Sequence, residues 1–585
     1  MASEVIESIG SLESYVENIL NHLEAQSFVS RLWQKDPSLW KPDPLHQGVI
    51  SNRLGWLDSP KLMLSHVEEL IEFTRKVCAD GFTHVLHLGM GGSSLASEVI
   101  RSAFGVREGF LKLHVLDSTS PDAIRAVEQS LPIERTLFIV ATKSGTTTET
   151  LTLYQYFYDR IASIKGNEAG KNFVALTDPG TSLVDEAQAR NFRHIFLNPR
   201  DIGGRYSALS YFGLLPAALI GVDIEHFLSR AVNMQELCGP TRSSRIRENP
   251  GVRLGAILGA AAKNNRDKVT FIVSPQSPCR GLGSWLEQLL AESTGKEGTG
   301  IIPIDSEQLG VPEVYGTDRL FVHITVRSAS EDGVSSKIDA LRFAGHPVVT
   351  IILNDLYDLG QEFYRWEFAV ATVGALLGIN AFDEPNVQES KDMTREMLAT
   401  FAESGSFPAE HPRAECGSLR LFADDATFEE LKAARSGRFP ESSFAGLLEA
   451  HFHRAQAGNY FAFMAYLPPC EEFDRFFDSL RVEIRKHLHV ATTFGYGPRF
   501  LHSTGQLHKG GPNTGIFLQI TAESREDVQI PNSSYTFGVL LRAQALGDLE
   551  VLRRHKRRVI RIDLGENAFE GLNMLMSVVK NIVRS

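Results

Sequence analysis

The sequence predicts an α/β fold with two doubly wound parallel sheets and a smaller C-terminal α/β segment. Three observations lead to this prediction. Short apolar, β-rich runs alternate with helix-like segments from about residue 83, a second block of this kind begins near residue 225, and a third follows residue 418. Because 585 residues exceed the size of one hydrophobic core, the blocks are expected to be separate domains.

Four parts of the chain are predicted. A helical segment covers residues 1–80, a first sheet domain 81–222, a second sheet domain 223–403, and a C-terminal α/β domain 418–585. The intervening stretch contains Pro, Gly and Ser and is predicted to be a linker. The strands are expected at 84–88, 113–116, 137–140, 173–176, 195–197, 269–273, 320–324, 347–352, 460–466, 489–492, 515–520 and 559–562.

Composition and charge exclude several classes of function. The formal net charge of −12 disfavours nucleic-acid binding, and the one basic run, 553–558, is predicted to be a solvated turn. Five scattered cysteines without a CxxC pair fit a reducing compartment. The sequence shows neither a secretory signal pattern nor an apolar stretch long enough to span a bilayer, so a cytoplasmic location without membrane association is expected.

A hydroxyl-rich turn joins the predicted strand at 136–140 to a helix that begins near Glu149. Open α/β sheets bind ligands at the carboxyl ends of their strands, and a helix N-terminus offers unpaired N–H groups to an anion. We therefore predict a phosphate cradle here; the alternative is an ordinary Thr-rich helix cap. The predicted cradle residues are Thr142, Lys143, Ser144, Gly145, Thr146 and Thr147.

A second turn of this type follows the first strand, where Gly92, Ser93 and Ser94 precede a helix. The dinucleotide fingerprint GxGxxG fails because position 94 is serine. The P-loop motif fails at Gly295-Lys296 because position 290 is leucine and Glu297 follows the lysine. Two hydroxyl-rich turns on one sheet suit a phosphomonoester such as a sugar phosphate. The alternative is that this turn is only a tight connection.

Two further segments carry chemistry. Arg205 follows two glycines, so a tight turn is expected to direct a permanent positive charge into the cleft, where it stabilises an oxyanion. Gln288 and Glu292 are four residues apart on one helical face, and the negative end of the helix dipole raises the pKa of a carboxylate at Glu292, as suits a general base. The alternative is that Arg205 and Glu292 are ordinary surface side chains.

Five blocks stand in the order found in glucose-6-phosphate isomerases, so the sequence resembles that family over about residues 85–391. The resemblance implies a pair of sugar-isomerase (SIS) domains and an enzyme that interconverts glucose 6-phosphate and fructose 6-phosphate in glycolysis and gluconeogenesis. It implies no cofactor and no metal. The blocks are Gly91-Gly92-Ser93-Ser94, Lys143-Ser144-Gly145-Thr146-Thr147 with Glu149-Thr150, Gly203-Gly204-Arg205-Tyr206-Ser207, Glu292-Ser293-Thr294-Gly295-Lys296, and Ile379-Asn380-Ala381-Phe382-Asp383 running to Lys391.

The resemblance also implies individual roles. Glu292 would move a proton between C2 and C1 of the open-chain sugar, Arg205 would stabilise the cis-enediolate, and Gln288 would bind substrate. Lys391 would assist near the ring oxygen, although the residues before it lack the Trp-Gly that the family often shows. The phosphate would be held by Ser93, Ser94 and residues 142–147.

The sequence departs from the family in its ring-opening histidine, which usually follows the base glutamate closely. The first histidine after Glu292 is His323, which lies inside a predicted strand, so its side chain is expected to be packed. We predict instead that the C-terminal domain delivers His502 to the cleft, with His508 as the rival; both have the residue type that titrates near neutral pH. The third alternative is that neither opens the ring.

Residues 52–56 and 501–511 are similar to the isomerase half of transaldolase–glucose-6-phosphate isomerase fusions, but no transaldolase barrel precedes residue 85, so that activity is not predicted. Three alternatives stay open: a non-catalytic sugar-phosphate-binding regulator, an isomerase of another phosphosugar such as mannose 6-phosphate, and a two-activity protein. The expected partner is a phosphorylated sugar, and the expected assembly is a monomer or a homodimer.

Overall fold

The computed structural model describes residues 3–240, 245–274, 276–329, 333–434, 438–440, 442–524 and 526–583. The strands are β1 (Glu4–Ser8), β2 (His84–Gly89), β3 (Lys112–Leu116), β4 (Thr136–Ala141), β5 (Phe173–Thr177), β6 (His194–Leu197), β7 (Lys268–Ile272), β8 (Ile302–Ile304), β9 (Arg319–Val326), β10 (Val348–Leu353), β11 (Ala414–Cys416), β12 (Leu419–Phe422), β13 (Tyr460–Tyr466), β14 (Ala491–Tyr496), β15 (Gly515–Thr521) and β16 (Arg558–Asp563).

The helices are α1 (Glu13–Ala25), α2 (Phe28–Trp33), α3 (Pro44–Ser51), α4 (Ser59–Leu64), α5 (Val67–Ala79), α6 (Leu95–Phe104), α7 (Pro121–Ser130), α8 (Thr148–Lys165), α9 (Ser182–Ala189), α10 (Tyr211–Leu219), α11 (Ile224–Leu237), α12 (Pro250–Lys263), α13 (Leu282–Thr294), α14 (Val334–Phe343), α15 (Leu359–Leu377), α16 (Pro385–Ser404), α17 (Asp425–Ala434), α18 (Phe444–Phe452), α19 (Glu471–Leu488), α20 (Gly505–Gly510), α21 (Phe537–Arg554) and α22 (Ala568–Val583). None of these helices, in the part of the chain that the structure describes, has the length and apolar content needed to cross a bilayer.

The first sheet is fully parallel and has the strand order β3-β2-β4-β5-β6. Counted along the chain this is the doubly wound order 2-1-3-4-5, whose ligand crevice lies between the first and third strands. Those strands are β2 and β4, and their ends are level because Gly89 pairs with Ala141. Both hydroxyl-rich turns therefore open into one crevice, and the predicted α/β fold class is confirmed.

The second sheet has the order β1-β10-β9-β7-β8, in which β1 runs antiparallel to β10 and the other pairs are parallel. The prediction that residues 1–80 are helical is wrong for residues 4–8. This segment is too short to show a periodicity, and it is a strand because it pairs with the free edge of β10, more than 300 residues later in the chain.

The third sheet has six strands in the order β11-β12-β16-β15-β13-β14. Its four C-terminal strands are parallel, and β11 and β12 extend the sheet in antiparallel fashion. It has its own hydrophobic core, whereas the N-terminal helices share one continuous core with the first two sheets. The unit built on the third sheet also packs against the other two, because one cluster joins Ala291 and Ile304 to Tyr460 and another joins Phe138 to Phe537.

Helix α20 anchors this third unit against the second sheet domain. Gly295, which follows α13, meets the backbone of Leu507 so closely that an added Cβ would lie 2.4 Å from its Cα. Gln506 donates a hydrogen bond from Nε2 to the carbonyl of Gly295 at 2.9 Å. Arg557, from the basic run predicted to be solvated, donates to the carbonyls of Lys509 and Gly511. That run is therefore partly structural, because it holds the end of α20.

Candidate active site

The carboxylate of Glu292 lies near the C-terminal end of α13, one helical turn after Gln288. The helical spacing brings Gln288 Nε2 to 2.9 Å from Glu292 Oε2, and both side chains are buried. Arg205 Nη1 lies 3.0 Å from the other oxygen, Oε1. The structure therefore brings together three of the predicted residues around one carboxylate.

Arg205 is fixed by all of its donors. Besides Glu292, Nη1 donates to Glu384 Oε2 at 3.1 Å, Nη2 to the carbonyls of Ala381 and Asp383 at 2.8 Å, and Nε to Ser293 Oγ at 2.8 Å. The guanidinium is only 2 % exposed. A buried cation with every donor used is a preorganised positive charge, as electrostatic stabilisation of an oxyanion requires.

The environment of Glu292 suits a proton acceptor. Burial raises its pKa above the ordinary value, and the charge of Arg205 opposes this without cancelling it. The carboxylate therefore takes up a proton more readily than an exposed glutamate, yet it stays hydrogen-bonded when ionised. That combination is expected of a general base working near neutral pH.

The C-terminal unit places His502 beside these groups. The residue ends a short 3₁₀ helix, Arg499–His502, after β14. Its carbonyl accepts a hydrogen bond from Gln288 Nε2 at 2.8 Å. Gly91 packs against the same carbonyl, at a φ of +53°, and an added Cβ would lie 2.5 Å from that oxygen. Only glycine fits this close approach, so the turn after β2 packs directly against the backbone of His502.

Glu149 holds the imidazole of His502 and was assigned no role from the sequence. His502 Nε2 lies 2.9 Å from Glu149 Oε1, and Gln544 Nε2 donates to the same oxygen at 2.7 Å. Thr119 donates in turn to Gln544 Oε1 at 2.8 Å. Burial raises the pKa of Glu149, but His502, through its charge and hydrogen bond, and the charge of Lys391 lower it overall, so this carboxylate is a stable anion.

The predicted phosphate cradle is a hydroxyl-lined loop. Thr142 Oγ1 lies 2.8 Å from Thr147 Oγ1, and Ser144 Oγ lies 2.9 Å from Thr146 Oγ1. Thr147 is the N-cap of α8 but makes no side-chain capping hydrogen bond. The geometry thus disfavours the alternative of a simple helix cap and leaves the first N–H groups of α8 free for an anion.

The remaining cradle residues form its edges. Gly145 adopts a φ of +68°, which lets the loop turn, and Lys143 forms an ion pair with Asp178. Ser94 is buried and its hydroxyl lies 3.3 Å from the Gly91 carbonyl, whereas Ser93 is half-buried. Gly92 packs against Gly204, where an added Cβ would lie 2.2 Å from the carbonyl oxygen, so the cradle side and the Arg205 turn are in contact.

Lys391 and His508 occupy different environments. Lys391 is half-buried on α16, close enough for its charge to lower the pKa of Glu149. His508 is buried on α20 with its ring centre 5.1 Å from that of Phe517, and burial lowers its pKa well below the ordinary value. Its neutral, packed ring is a poorer candidate than His502 for proton transfer. His323 is also buried, within β9.

Comparisons with known proteins relate the chain to one family. The sequence model of the family described as "Phosphoglucose isomerase" matches residues 63–309. A probable glucose-6-phosphate isomerase of Natronomonas pharaonis is 31 % identical over 348 residues, which cover 54 % of this chain and 78 % of that protein. The glucose-6-phosphate isomerase of Synechococcus elongatus is 30 % identical over 405 residues, which cover 63 % of this chain and 75 % of that protein.

Solved structures show the same fold. The hypothetical protein TT0462 of Thermus thermophilus superposes with a TM-score of 0.58 at 23 % identity, covering 68 % of this chain and all of that chain. A glucose-6-phosphate isomerase of Chlamydia trachomatis superposes with a TM-score of 0.55 at 18 % identity, covering 66 % of this chain and 86 % of that chain. The resemblance to the isomerase family is confirmed; the similarity to fusion proteins stays a prediction.

Proposed function

This chain belongs to the glucose-6-phosphate isomerase family, and we propose that it interconverts glucose 6-phosphate and fructose 6-phosphate by acid–base catalysis through a cis-enediolate. The observation that carries the proposal is the buried contact of Arg205 and Gln288 with Glu292, next to a histidine held by a second carboxylate. Such a reaction is a step of glycolysis and gluconeogenesis.

Binding and ring opening come first. The 6-phosphate would enter the cradle formed by residues 142–147, with Ser93 and Ser94 at its side and the N-terminus of α8 behind it. His502 would then donate a proton to the ring oxygen, assisted by Lys391, as the bond from C1 to the ring oxygen breaks and the C1 hydroxyl releases its proton to water. Glu149 supports this role, because a carboxylate at 2.9 Å from Nε2 stabilises the imidazolium and fixes the ring.

Proton transfer follows on the opened sugar. Glu292 would remove the proton from C2 of the aldose and return it to C1, while the hydroxyl proton passes from O2 to O1, which yields the ketose. As Glu292 becomes neutral, the negative charge moves onto the enediolate oxygens. Arg205 already lies 3.0 Å from the carboxylate, so the same guanidinium can balance the charge in both states without rearrangement. Gln288, on the same helical face, would orient the substrate.

The test is an isomerase assay with purified protein and a Glu292→Gln variant. Loss of a positioned proton-transfer group typically costs about 10²–10⁴-fold, so kcat should fall by at least that lower factor. Glu297→Gln is the matched control, since Glu297 is in the next turn of chain and its side chain is 51 % exposed. Full activity of Glu292→Gln, or equal losses in both variants, would contradict the assignment of the base.

Substrate range and assembly belong to the proposal as well. Mannose 6-phosphate is the competing substrate, and parallel assays with both sugars decide between them. A sugar-phosphate-binding regulator would not need the Glu292 and His502 networks, which favours the enzyme. Since all these side chains come from one chain, a monomer would suffice for activity, although a homodimer stays a prediction. A cytoplasmic location likewise stays a prediction.

A further inference from the structure

A cavity of ≈ 510 Å³ lies beside the phosphate cradle but outside the crevice between β2 and β4. Its walls are the loops that follow β4, β5 and β6, together with a short N-terminal stretch. Volumes of about 300–1,000 Å³ are typical of small-molecule sites, so the cavity has room for more than an isolated ion. It is lined by Asn52, Arg53, Lys143, Ser144, Asp178, Pro179, Gly180, Thr181, Arg200 and Asp201.

The cavity gathers positive charge. Arg53 and Arg200 make only hydrogen bonds to backbone carbonyls and pair with no carboxylate in the described part of the chain. Lys143 adds a third cation, and the N-terminus of α9 begins at the cavity wall, where Thr181 is an N-cap without a side-chain capping bond. Planar guanidinium groups next to free helix N–H groups match the geometry of a phosphate.

One buried acceptor in the wall lacks a donor. Asp178 is 7 % exposed, and its Oδ2 pairs with Lys143, but its buried Oδ1 has no hydrogen-bond partner. An unsatisfied buried carboxylate oxygen is unfavourable unless a ligand supplies the donor. Burial raises the pKa of Asp178 overall, and the hydrogen bond and charge of Lys143 together with the charges of Arg53 and Arg200 oppose that rise, so three cations lie near this one carboxylate.

We propose that this cavity is a second ligand site, which binds a small phosphomonoester that carries hydroxyl groups. Arg53 and Arg200 hold its phosphate, and the Asp178 carboxylate turns toward the ligand, so that Oδ1, which solvent does not reach in this structure, accepts a hydrogen bond from a ligand hydroxyl. The site differs from the cradle because its lining, apart from Lys143 and Ser144, comes from the loops after β5 and β6 and from residues 52–53.

Two hydrogen bonds and a close packing contact join the second site to the cradle. Asp178 N donates to the Lys143 carbonyl at 3.2 Å, and Ser182 Oγ donates to the Gly145 carbonyl at 3.1 Å. Gly145 also packs against Thr181, where an added Cβ would lie 2.6 Å from the Thr181 Cβ. The segment Lys143–Gly145 is therefore a wall common to both sites, and a phosphate in the second site competes with Asp178 for Lys143.

The experiment is calorimetric titration with glycerol 3-phosphate, which carries two hydroxyls and no carbonyl. Wild-type protein should bind two equivalents, one in the cradle and one in the second site. The variant Arg53→Gln/Arg200→Gln should lose one equivalent, or bind it at least tenfold more weakly, and keep its isomerase activity within about twofold. The variant Thr142→Val/Thr147→Val, whose residues do not line the second cavity, should lose the other equivalent.

The matched control is Arg75→Gln/Arg395→Gln, which removes the same charge from side chains that are 72 % and 67 % exposed. It should bind as the wild type does. A single wild-type equivalent that survives Arg53→Gln/Arg200→Gln would overturn the second site, and tighter binding of inorganic phosphate than of glycerol 3-phosphate would overturn the requirement for hydroxyls. This inference rests on the proposed function only in taking the cradle as the first phosphate site. An inactive wild-type protein would refute the isomerase assignment, and the number of bound equivalents could still be measured.

Discussion

In the proposed mechanism Gln544 is a positioning residue, and its removal should slow ring opening without disturbing the base. It lies on α21 of the C-terminal unit and donates at 2.7 Å to the same Glu149 oxygen that holds His502. In Gln544→Leu, Glu149 loses one of its two donors and Thr119 loses its acceptor. The carboxylate can then rotate, and the imidazole is no longer fixed against the ring oxygen.

The size of the effect follows from the bonds lost. A hydrogen bond to a charged group contributes about 1.5–3 kcal/mol, and 1.4 kcal/mol corresponds to about tenfold in rate. If most of the orienting energy is lost in the ring-opening transition state, kcat falls by about 10- to 100-fold. The free energy of unfolding should fall by about 1–3 kcal/mol, because a buried carboxylate oxygen and a buried hydroxyl are left with fewer partners.

The assay compares glucose 6-phosphate with its C2-deuterated form. Slow ring opening hides the proton transfer, so the deuterium isotope effect on kcat should shrink in Gln544→Leu and in His502→Ala. In Glu292→Asp, where proton transfer itself is slowed, the isotope effect should persist or grow. Gln129→Leu, at an exposed position on α7, is the matched control. A large drop in kcat with an undiminished isotope effect in Gln544→Leu would refute the reasoning, because it would place the damage at the proton-transfer step.

Three further outcomes are expected. Asp548→Asn leaves the ammonium of Lys509, 2.6 Å from Asp548 Oδ1, buried without its counter-charge, so the free energy of unfolding measured in urea should fall by about 3–5 kcal/mol. Burial raises the pKa of Glu287 to about 8 in the folded state, so the folded state binds this proton more tightly than the unfolded state does. The free energy of unfolding should therefore decrease by up to about 1.4 kcal/mol per pH unit from roughly pH 4.5 to 8. Glu287→Gln should flatten this slope in melting curves recorded across that range. Gly91→Ala introduces a Cβ at 2.5 Å from the His502 carbonyl and should lower kcat more than tenfold with a smaller loss in melting temperature, whereas equal activity would mean that the turn tolerates displacement.

Local patterns in the sequence predict the parts of the site that local geometry creates. The hydroxyl-rich loop after β4 follows from a strand, a run of Ser and Thr and a helix start, and the meeting of Gln288 with Glu292 follows from their helical spacing. Strand order was not needed for either prediction.

Local sequence patterns do not predict contacts between segments that are far apart in the chain. Glu149 has its partners 353 and 395 residues later in the chain, so nothing near it signals that it orients a histidine. The strand at Glu4–Ser8 depends on an unpaired edge of β10 in the same way. His502 was predicted from family resemblance rather than from spacing, and the role of Arg557 in holding α20 has no local signature.

The third sheet domain, which has a hydrophobic core of its own on one face, supplies His502, whereas Glu292 and Arg205 come from the rest of the chain, so the proposed reaction depends on two parts of the molecule. Opening a cyclic sugar would need both, whereas shuttling a hydrogen along a linear sugar would need only the larger one. A variant in which the smaller part packs poorly should therefore still convert the linear sugar but lose activity on the cyclic form. Exchanging this part for that of a relative would change ring opening while the carboxylate that moves the hydrogen is kept.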